Sequence, residues 1–114
     1  MNKNFDPIEL ALIIAKRSQC SVKMGAVLFD KYGIFAWGWN SSGNGFGLCA
    51  ERHALERANP NRFRGSAMAV AGFRTRNKNL VCACPCGLCH EALIAKGISN
   101  VIYQDKNERV IMFI

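Results

Sequence analysis

The sequence contains no long hydrophobic run, no internal repeat and no low-complexity tract. Its longest apolar runs, such as residues 10–15, are far shorter than the roughly 20 residues that cross a bilayer, so no membrane helix and no membrane partner are expected. Asp6 and Glu9 interrupt an N-terminal segment that is otherwise the place for a signal peptide, and we expect a cytoplasmic protein. Without a linker along its 114 residues, the chain is predicted to form one domain over residues 1–114.

Acidic residues are scarce, since 8 Asp and Glu stand against 15 Lys and Arg, for a formal net charge of +7. Such an excess favours anionic partners, either nucleotides or nucleic acid, without distinguishing between them. Residues 51–78 hold seven basic and two acidic residues, with the aromatic Phe63 and Phe73 among them. A footprint for single-stranded nucleic acid would have this composition. A solvated rim, a subunit interface or a phosphate pocket for a nucleotide is the alternative that we prefer.

Capping residues, glycines and prolines divide the chain into alternating helices and strands. Helices are predicted over residues 7–17, 50–58 and 87–96, and strands over 25–29, 34–37, 66–73, 101–103 and 109–114. Residues 40–47, rich in Gly, Ser and Asn, are predicted to form a loop. This order predicts a layered α/β sandwich in which the middle strands are parallel. The short turn at residues 105–108 predicts an antiparallel pairing of the last two strands.

Six cysteines can serve disulfide bonds or a metal site, and a reducing compartment favours the metal. Cys86 and Cys89 form a Cys-x-x-Cys pair at the predicted start of the third helix, and Cys49 lies at the start of the second. Helix N-termini stabilise thiolates because exposed backbone N–H groups and the helix dipole favour negative charge there. Three thiolates from two helix starts can converge on one tetrahedral Zn²⁺, which keeps its fourth position for water as catalytic zinc sites do.

Glu51 follows Cys49 by two residues and falls in the first turn of the same predicted helix. A carboxylate beside the zinc but not bound to it can take a proton from the metal water and pass it on. The residues alone leave other interpretations open: a structural zinc site or buried thiols, and a glutamate that complements the helix dipole. We prefer the catalytic interpretation, because Glu51 would have no purpose beside a closed structural site.

The stretch Cys49-Ala50-Glu51, followed downstream by Pro85 and the Cys-x-x-Cys pair, resembles the signature of the cytidine deaminase-like superfamily in its three-cysteine form. The segments around Gly25, Gly38 and Gly97 are similar to those of deoxycytidylate and tRNA adenosine deaminases. The resemblance covers nearly the whole chain. It implies a three-layer α/β/α sandwich around a five-stranded mixed sheet with the strand order 2-1-3-4-5.

The resemblance also implies a function, the zinc-dependent hydrolytic deamination of cytosine in a nucleoside or nucleotide to the uracil product and ammonia. Water activated by the zinc would attack the amine-bearing ring carbon while Glu51 moves the protons. Asn40 is expected to contact the sugar or the base, and the backbone N–H of Ala50 and the carbonyl of Cys84 to hold the base edges. Arg52 matches an arginine that hydrogen-bonds to the zinc-bound sulfurs in cytidine deaminases, so it is predicted to offset the negative charge of three thiolates.

Two alternative functions stay open at this point. One is a deaminase acting on cytosine or adenine in single-stranded DNA or RNA, and the other is a non-catalytic zinc-binding module. Cytidine deaminases carry Asn-x-Glu before the first ligand, whereas here Asn40 is followed by Ser41 and Ser42. The resemblance further implies a homo-oligomer, because related small deaminases complete their pockets across subunits. Cys82 and Cys84 are expected to be core or loop thiols, with a rearranged site that uses Cys84 as the alternative.

Overall fold

Seven strands and three helices form the fold in the computed structural model, which describes residues 6–43 and 46–114, and the side chains of 6–41 and 49–114. The helices are α1 (Pro7–Ala15), α2 (Ala50–Arg57) and α3 (Gly87–Ala95), with one 3₁₀ turn at Pro60–Arg62. The strands are β1 (Val22–Asp30), β2 (Gly33–Trp39), β3 (Ser41–Gly43), β4 (Phe46–Leu48), β5 (Ala67–Arg74), β6 (Asn100–Asp105) and β7 (Glu108–Phe113).

Five of the strands form one mixed sheet in the order β2-β1-β5-β6-β7, which is the predicted order 2-1-3-4-5. The last two strands form the predicted antiparallel hairpin. The middle strands β5 and β6 are parallel as predicted, whereas β1 is antiparallel to both of its neighbours. The reason lies in the connections: α2 crosses over from β2 to β5, and the hairpin partner β1 is inserted between these two strands.

Apolar side chains cover both faces of this sheet, which produces the three predicted layers. On one face α1 packs on β1 and β5, and on the other face α2 and α3 pack on the same sheet. The strand residues alternate between the two sides, so that Ala69 faces α1 while Met68 and Val70 face α2 and α3. Burial of this apolar surface is the main driving force for the fold.

The helix ends follow from local chemistry. The Asp6 carboxylate accepts hydrogen bonds from the backbone N–H groups of Ile8 at 3.0 Å and Glu9 at 3.3 Å, which caps α1. The helix ends at Ala15, two residues earlier than predicted, because the N–H groups of residues 16 and 17 bond three residues back and tighten the last turn. Gly97 follows α3 with a φ of +83°, the left-handed conformation expected of a glycine that ends a helix.

The prediction of a loop over residues 40–47 is wrong in part. Residues 41–43 and 46–48 pair as an antiparallel two-stranded sheet, while residues 44 and 45 lie outside the described residues. Polar and glycine-rich composition gives no sign of such pairing, because backbone hydrogen bonds between strands do not require an alternation of apolar residues in the sequence. None of the described helices is long and apolar enough to cross a membrane.

Candidate metal centre

Three cysteines from the starts of two helices come together on the α2–α3 side of the sheet. Cys49 is the N-cap residue of α2, Cys86 is the N-cap residue of α3, and Cys89 lies in the first turn of α3. Their sulfur atoms lie within 4.8 Å of one another. A tetrahedral site with zinc–sulfur bonds of about 2.3 Å places its sulfurs roughly 3.8 Å apart. The spacing in the structure is therefore compatible with one shared ion.

The helix starts affect the three thiols unequally. The pKa of Cys86 is lowered because the backbone N–H and the thiol of Cys89, close to its sulfur, favour the thiolate. Burial raises the pKa of Cys49, and burial together with the nearby charge of Glu51 raises that of Cys89. The α3 start thus favours one thiolate, while the interior disfavours the other two.

Glu51 is itself buried, with 7% of its surface exposed, and this burial raises the pKa of its carboxyl group. A buried carboxylate beside clustered thiolates accumulates negative charge in a region of low polarity, which is unfavourable without a cation. Three sulfur donors with a carboxylate nearby suit a divalent, sulfur-preferring ion such as Zn²⁺. The donor set therefore fits the metal that the sequence predicts.

A cavity of about 340 Å³ opens onto this cluster. It contains the exposed Cys86 and the partly exposed Cys49, while Cys89 is fully buried. The lining residues come from β1, the residue after β2, the first residue of β3, the start of α2 and the segment before α3, and they are Met24, Asn40, Ser41, Cys49, Ala50, Glu51, Cys84 and Cys86. All three residues predicted to contact substrate, Asn40, Ala50 and Cys84, thus line the same cavity as the thiols and Glu51.

Asn40 holds the two strands of the β1–β2 hairpin together at the mouth of this cavity. Its Oδ1 accepts a hydrogen bond from the backbone N–H of Met24 at 2.9 Å, and its Nδ2 donates one to the carbonyl of Val22 at 2.9 Å. Its own backbone N–H donates to the carbonyl of Met24 at 3.2 Å. Among the described residues, these bonds use one of the two amide hydrogens of Asn40, so the second one is available to a ligand.

Comparison with known families identifies this arrangement. Residues 1–105 match the family model described as the cytidine and deoxycytidylate deaminase zinc-binding region. The chain belongs to the cytidine and deoxycytidylate deaminase family. No curated protein is significantly similar to the chain.

Solved structures of deaminases share the fold. The cytidine deaminase of Burkholderia pseudomallei is 25% identical, with a TM-score of 0.75 over 99% of this chain and 93% of that one. The deoxycytidylate (dCMP) deaminase of cyanophage S-TIM5 is 23% identical, with a TM-score of 0.71 over 90% of this chain and 82% of that one. The cytidine deaminase of Mycobacterium leprae is 20% identical, with a TM-score of 0.64 over 91% and 88%. These likenesses agree with the strand order and with the antiparallel last strand.

Arg52 and His53 are not among the residues that line the cavity beside the thiols. Arg52 is exposed and lines a separate cavity of about 270 Å³ between α2 and α3, and among the described residues it makes no hydrogen bond to a cysteine sulfur. His53 accepts a hydrogen bond at its Nδ1 from the backbone N–H of Trp39 at 3.1 Å, and the two rings meet edge to face with 4.6 Å between their centroids. His53 thus fastens α2 to the edge strand β2.

Cys82 and Cys84 lie in the extended segment before α3, and both are exposed. Neither belongs to the cluster of three sulfurs. The Cys84 side chain lies near Tyr103 of β6, and its interaction with the tyrosine hydroxyl raises the pKa of that hydroxyl. Met24 and Ser41 line the cavity beside the thiols and Glu51, although neither belongs to a motif in the sequence. The β1–β2 pairing is the signal that would have found Met24, because it places that residue beside Asn40.

Proposed function

We propose that the chain is a zinc-dependent hydrolytic deaminase that converts cytosine in a nucleoside or nucleotide to uracil, with release of ammonia. The observation that carries the proposal is one cavity lined by clustered thiols and a buried carboxylate that does not belong to the thiol cluster. A structural zinc site has no use for such a cavity or for an unbound acid beside it. The family to which the chain belongs supports the same reaction.

In this proposal Cys49, Cys86 and Cys89 hold Zn²⁺, and three protein ligands leave one coordination position free. The ion supplies Lewis acidity, which lowers the pKa of a water molecule so that it can act as a nucleophile at neutral pH. The overall reaction consumes one water and breaks one bond between carbon and the exocyclic nitrogen. The metal provides no proton, so a protein group must move those that the reaction requires.

Glu51 is the group in position to do so. Burial raises the pKa of its carboxyl group, so it accepts a proton more readily than an exposed glutamate. It takes the proton of the attacking water, delivers it to the ring nitrogen, and assists the departure of ammonia by a second transfer. General acid–base groups of this kind contribute about 10²- to 10⁴-fold to a rate.

Backbone groups are proposed to hold the base. The N–H of Ala50 belongs to the first turn of α2, where backbone N–H groups have no acceptor within the helix, so it is available to a carbonyl oxygen of the pyrimidine. The carbonyl of Cys84 can accept a hydrogen bond from the exocyclic amine. One donor and one acceptor would thus distinguish cytosine from uracil, whose corresponding edge carries a carbonyl in place of the amine. The remaining amide hydrogen of Asn40 is proposed to contact the sugar.

Charge supports a phosphorylated substrate over a free nucleoside. The formal net charge is +7, which attracts anions to the surface. The glutamate of the Asn-x-Glu pattern is replaced by Ser42, which removes a carboxylate that would repel a phosphate near the sugar. We therefore propose a cytosine nucleotide as the preferred substrate within this class.

Ammonia release from a substrate panel tests the proposal. The panel holds cytidine, deoxycytidine, their monophosphates, adenosine, and single-stranded DNA and RNA oligonucleotides. Glu51→Gln is expected to lower the rate by about 10²- to 10⁴-fold with zinc content unchanged. Glu56→Gln is the matched control, because it makes the same substitution at an exposed position of α2.

Three outcomes would contradict the proposal in different ways. A Glu51→Gln variant as active as the parent protein would remove Glu51 from the mechanism. Release from oligonucleotides alone would favour the polymer-directed deaminase. A zinc-loaded protein that is inert on every substrate would favour the non-catalytic zinc-binding module.

A further inference from the structure

Two adjoining cavities, separate from the cavity beside the thiols, are lined by cations, and no carboxylate lies among the described residues that line them. In the first, of about 590 Å³, three lysines surround an apolar floor that contains Phe73 and Leu80. In the second, of about 700 Å³, one arginine and one lysine lie among polar groups, and Leu80 is shared with the first cavity. We call these five cations the basic track, and they are Lys16, Lys23, Arg74, Lys78 and Lys106.

The charges of the basic track are not neutralised by the protein. Within the described part of the chain, the ion pairs are those of Arg62 with Asp30 and of Arg109 with Asp6, and no residue of the track takes part in them. The ammonium group of Lys23 donates a hydrogen bond to the backbone carbonyl of Ser18, which leaves its charge in place. Cations that lie together without counter-charges raise the local positive potential, and such a surface attracts anions.

The loop that carries the centre of the track is fixed by backbone hydrogen bonds. The N–H of Arg74 donates to the carbonyl of Asn79 at 2.9 Å, and the N–H of Lys78 donates to the carbonyl of Arg74 at 2.8 Å. Thr75 is tied to Ser21 in the same way at 2.9 Å, which joins the loop to the start of β1. The cations at residues 74 and 78 therefore start from a preordered backbone, which lowers the entropy cost of binding.

An aromatic ring lies within the track. Phe73 is partly exposed on the floor of the first cavity, and the ammonium group of Lys78 lies 5.8 Å from its ring centroid. An apolar ring beside a cation is the combination that single-stranded nucleic acids use, with a base stacked on the ring and a phosphate on the cation. Cys82 lines the second cavity of the track, and Cys84, two residues later, lines the cavity beside the thiols.

We propose that the basic track binds single-stranded nucleic acid, with phosphates on its cations and one base against Phe73. Cations spread over two adjoining cavities match a polymer that carries one charge per nucleotide, whereas a lone phosphate requires cations that converge on one point. The concave shape does not suit a flat membrane surface. The track is separate from the proposed deamination site, and binding to it requires no cytosine.

The test measures the binding of a labelled oligothymidylate of about 12 nucleotides to the zinc-loaded protein. Fluorescence anisotropy at several salt concentrations gives the binding constants. With about 0.7 counterions released per phosphate, five contacts predict a slope of log K against log[salt] near −3.5. The double variant Lys16→Gln/Lys78→Gln is expected to reduce that slope by about 1.4. Phe73→Leu, which keeps an apolar side chain, is expected to weaken binding about tenfold.

The matched control is Lys31→Gln/Arg64→Gln, which removes the same amount of charge. Both residues are exposed and line a different cavity, which includes Asp30 of the β1–β2 hairpin. Zinc content and melting temperature confirm that each variant is folded. Equal losses in the two double variants, binding without salt dependence, or equally strong competition by polyglutamate would overturn the proposal. Parallel binding of oligouridylate shows whether DNA or RNA is preferred, and either preference supports it.

The two proposals fail separately. Oligothymidylate has no exocyclic amine and is no substrate for deamination. Its failure to bind would therefore refute the proposal for the basic track and would not bear on the proposed deaminase activity. An absence of ammonia release with intact oligothymidylate binding removes the deaminase and leaves the track.

Discussion

Gly38 of β2 is the point at which α2 packs directly on the sheet, and its replacement gives a sharp test of how the metal site is positioned. A Cβ at residue 38 would lie 2.4 Å from the backbone nitrogen of Ala54 and 2.7 Å from the carbonyl oxygen of Ala50. Both are helix backbone atoms, which cannot rotate away as a side chain can. Ordinary contacts of a Cβ begin at 3.4 Å, so Gly38→Ala requires α2 to move by about 1 Å, the difference between 3.4 and 2.4 Å.

This shift would be transmitted to the metal site, because Ala50 directly follows Cys49. Metal–ligand distances tolerate deviations of about 0.2 Å, far less than the required movement of the helix. We expect Gly38→Ala to lower zinc affinity on the order of 10- to 100-fold and to reduce the free energy of unfolding by about 1–3 kcal/mol. Zinc affinity would be measured by competition with a chelating dye, and stability by urea unfolding.

Gly25 of β1 supplies the control on the opposite face. A Cβ there would lie 2.0 Å from the carbonyl oxygen of Ala11 and 2.6 Å from the backbone nitrogen of Ala15, both in α1. Gly25→Ala is therefore expected to destabilise the protein at least as much as Gly38→Ala, while the folded variant keeps its zinc affinity. Wild-type zinc affinity in Gly38→Ala, or an equal loss in Gly25→Ala, would refute the idea that the Gly38 contact positions the α2 thiol.

Asp6→Ala removes the cap of α1 and an ion pair with Arg109, and it is expected to lower the free energy of unfolding, measured in urea, by about 1–2 kcal/mol. Arg109→Ala removes the ion pair alone and is expected to lower it by less than about 1 kcal/mol. Burial raises the pKa of Asp6 but its hydrogen bonds outweigh that effect and lower it, so this stabilisation is present well above the ordinary pKa of 3.8 and lost as the pH falls through the lower folded value. Arg52 is exposed and makes no hydrogen bond to a cysteine sulfur among the described residues, so Arg52→Gln is expected to keep zinc and to leave the pH–rate profile unchanged. An upward shift of that profile would show instead that the guanidinium offsets thiolate charge. Light scattering is expected to detect a homo-oligomer. Leu88 on α3, near the thiols, is 71% exposed, and Leu88→Ser is expected to weaken this assembly. Tyr32 at the β1–β2 turn is 79% exposed, and Tyr32→Ser is expected to leave the assembly unchanged.

Features that depend on a few neighbouring residues could be predicted from the sequence. The start of α1 follows from Asp6 and Pro7, and the end of α3 follows from Gly97, because caps act within one helical turn. The same locality explains the thiol cluster, since each of its cysteines lies at a helix start. The roles proposed for these residues in catalysis remain predictions.

Features that depend on register or on close approach could not be predicted in this way. The antiparallel pairing of residues 41–43 with residues 46–48 joins backbone groups, whereas the composition of this part of the sequence indicates only a loop. The place of Met24 in the cavity depends on its pairing with Asn40 across two strands. The bond between His53 and the backbone of Trp39 joins two elements whose relative position no local pattern specifies.

The end of β2 determines the position of one half of the metal site. The hydrogen bond from Trp39 to His53 and the close approach of the α2 backbone to Gly38 are two contacts that position α2, and with it Glu51 and the N-cap residue Cys49. Asn40, directly after β2, hydrogen-bonds the same strand end to β1. The other half comes from α3, the crossover between β5 and β6, and is positioned separately. The cavity lies where these two halves meet, with Cys49 on one side and Cys86 on the other. Substitutions at the end of β2 should therefore alter the position of Glu51 and Cys49 together, while substitutions in the segment before α3 should alter the Cys86 and Cys89 pair and leave the acid in place.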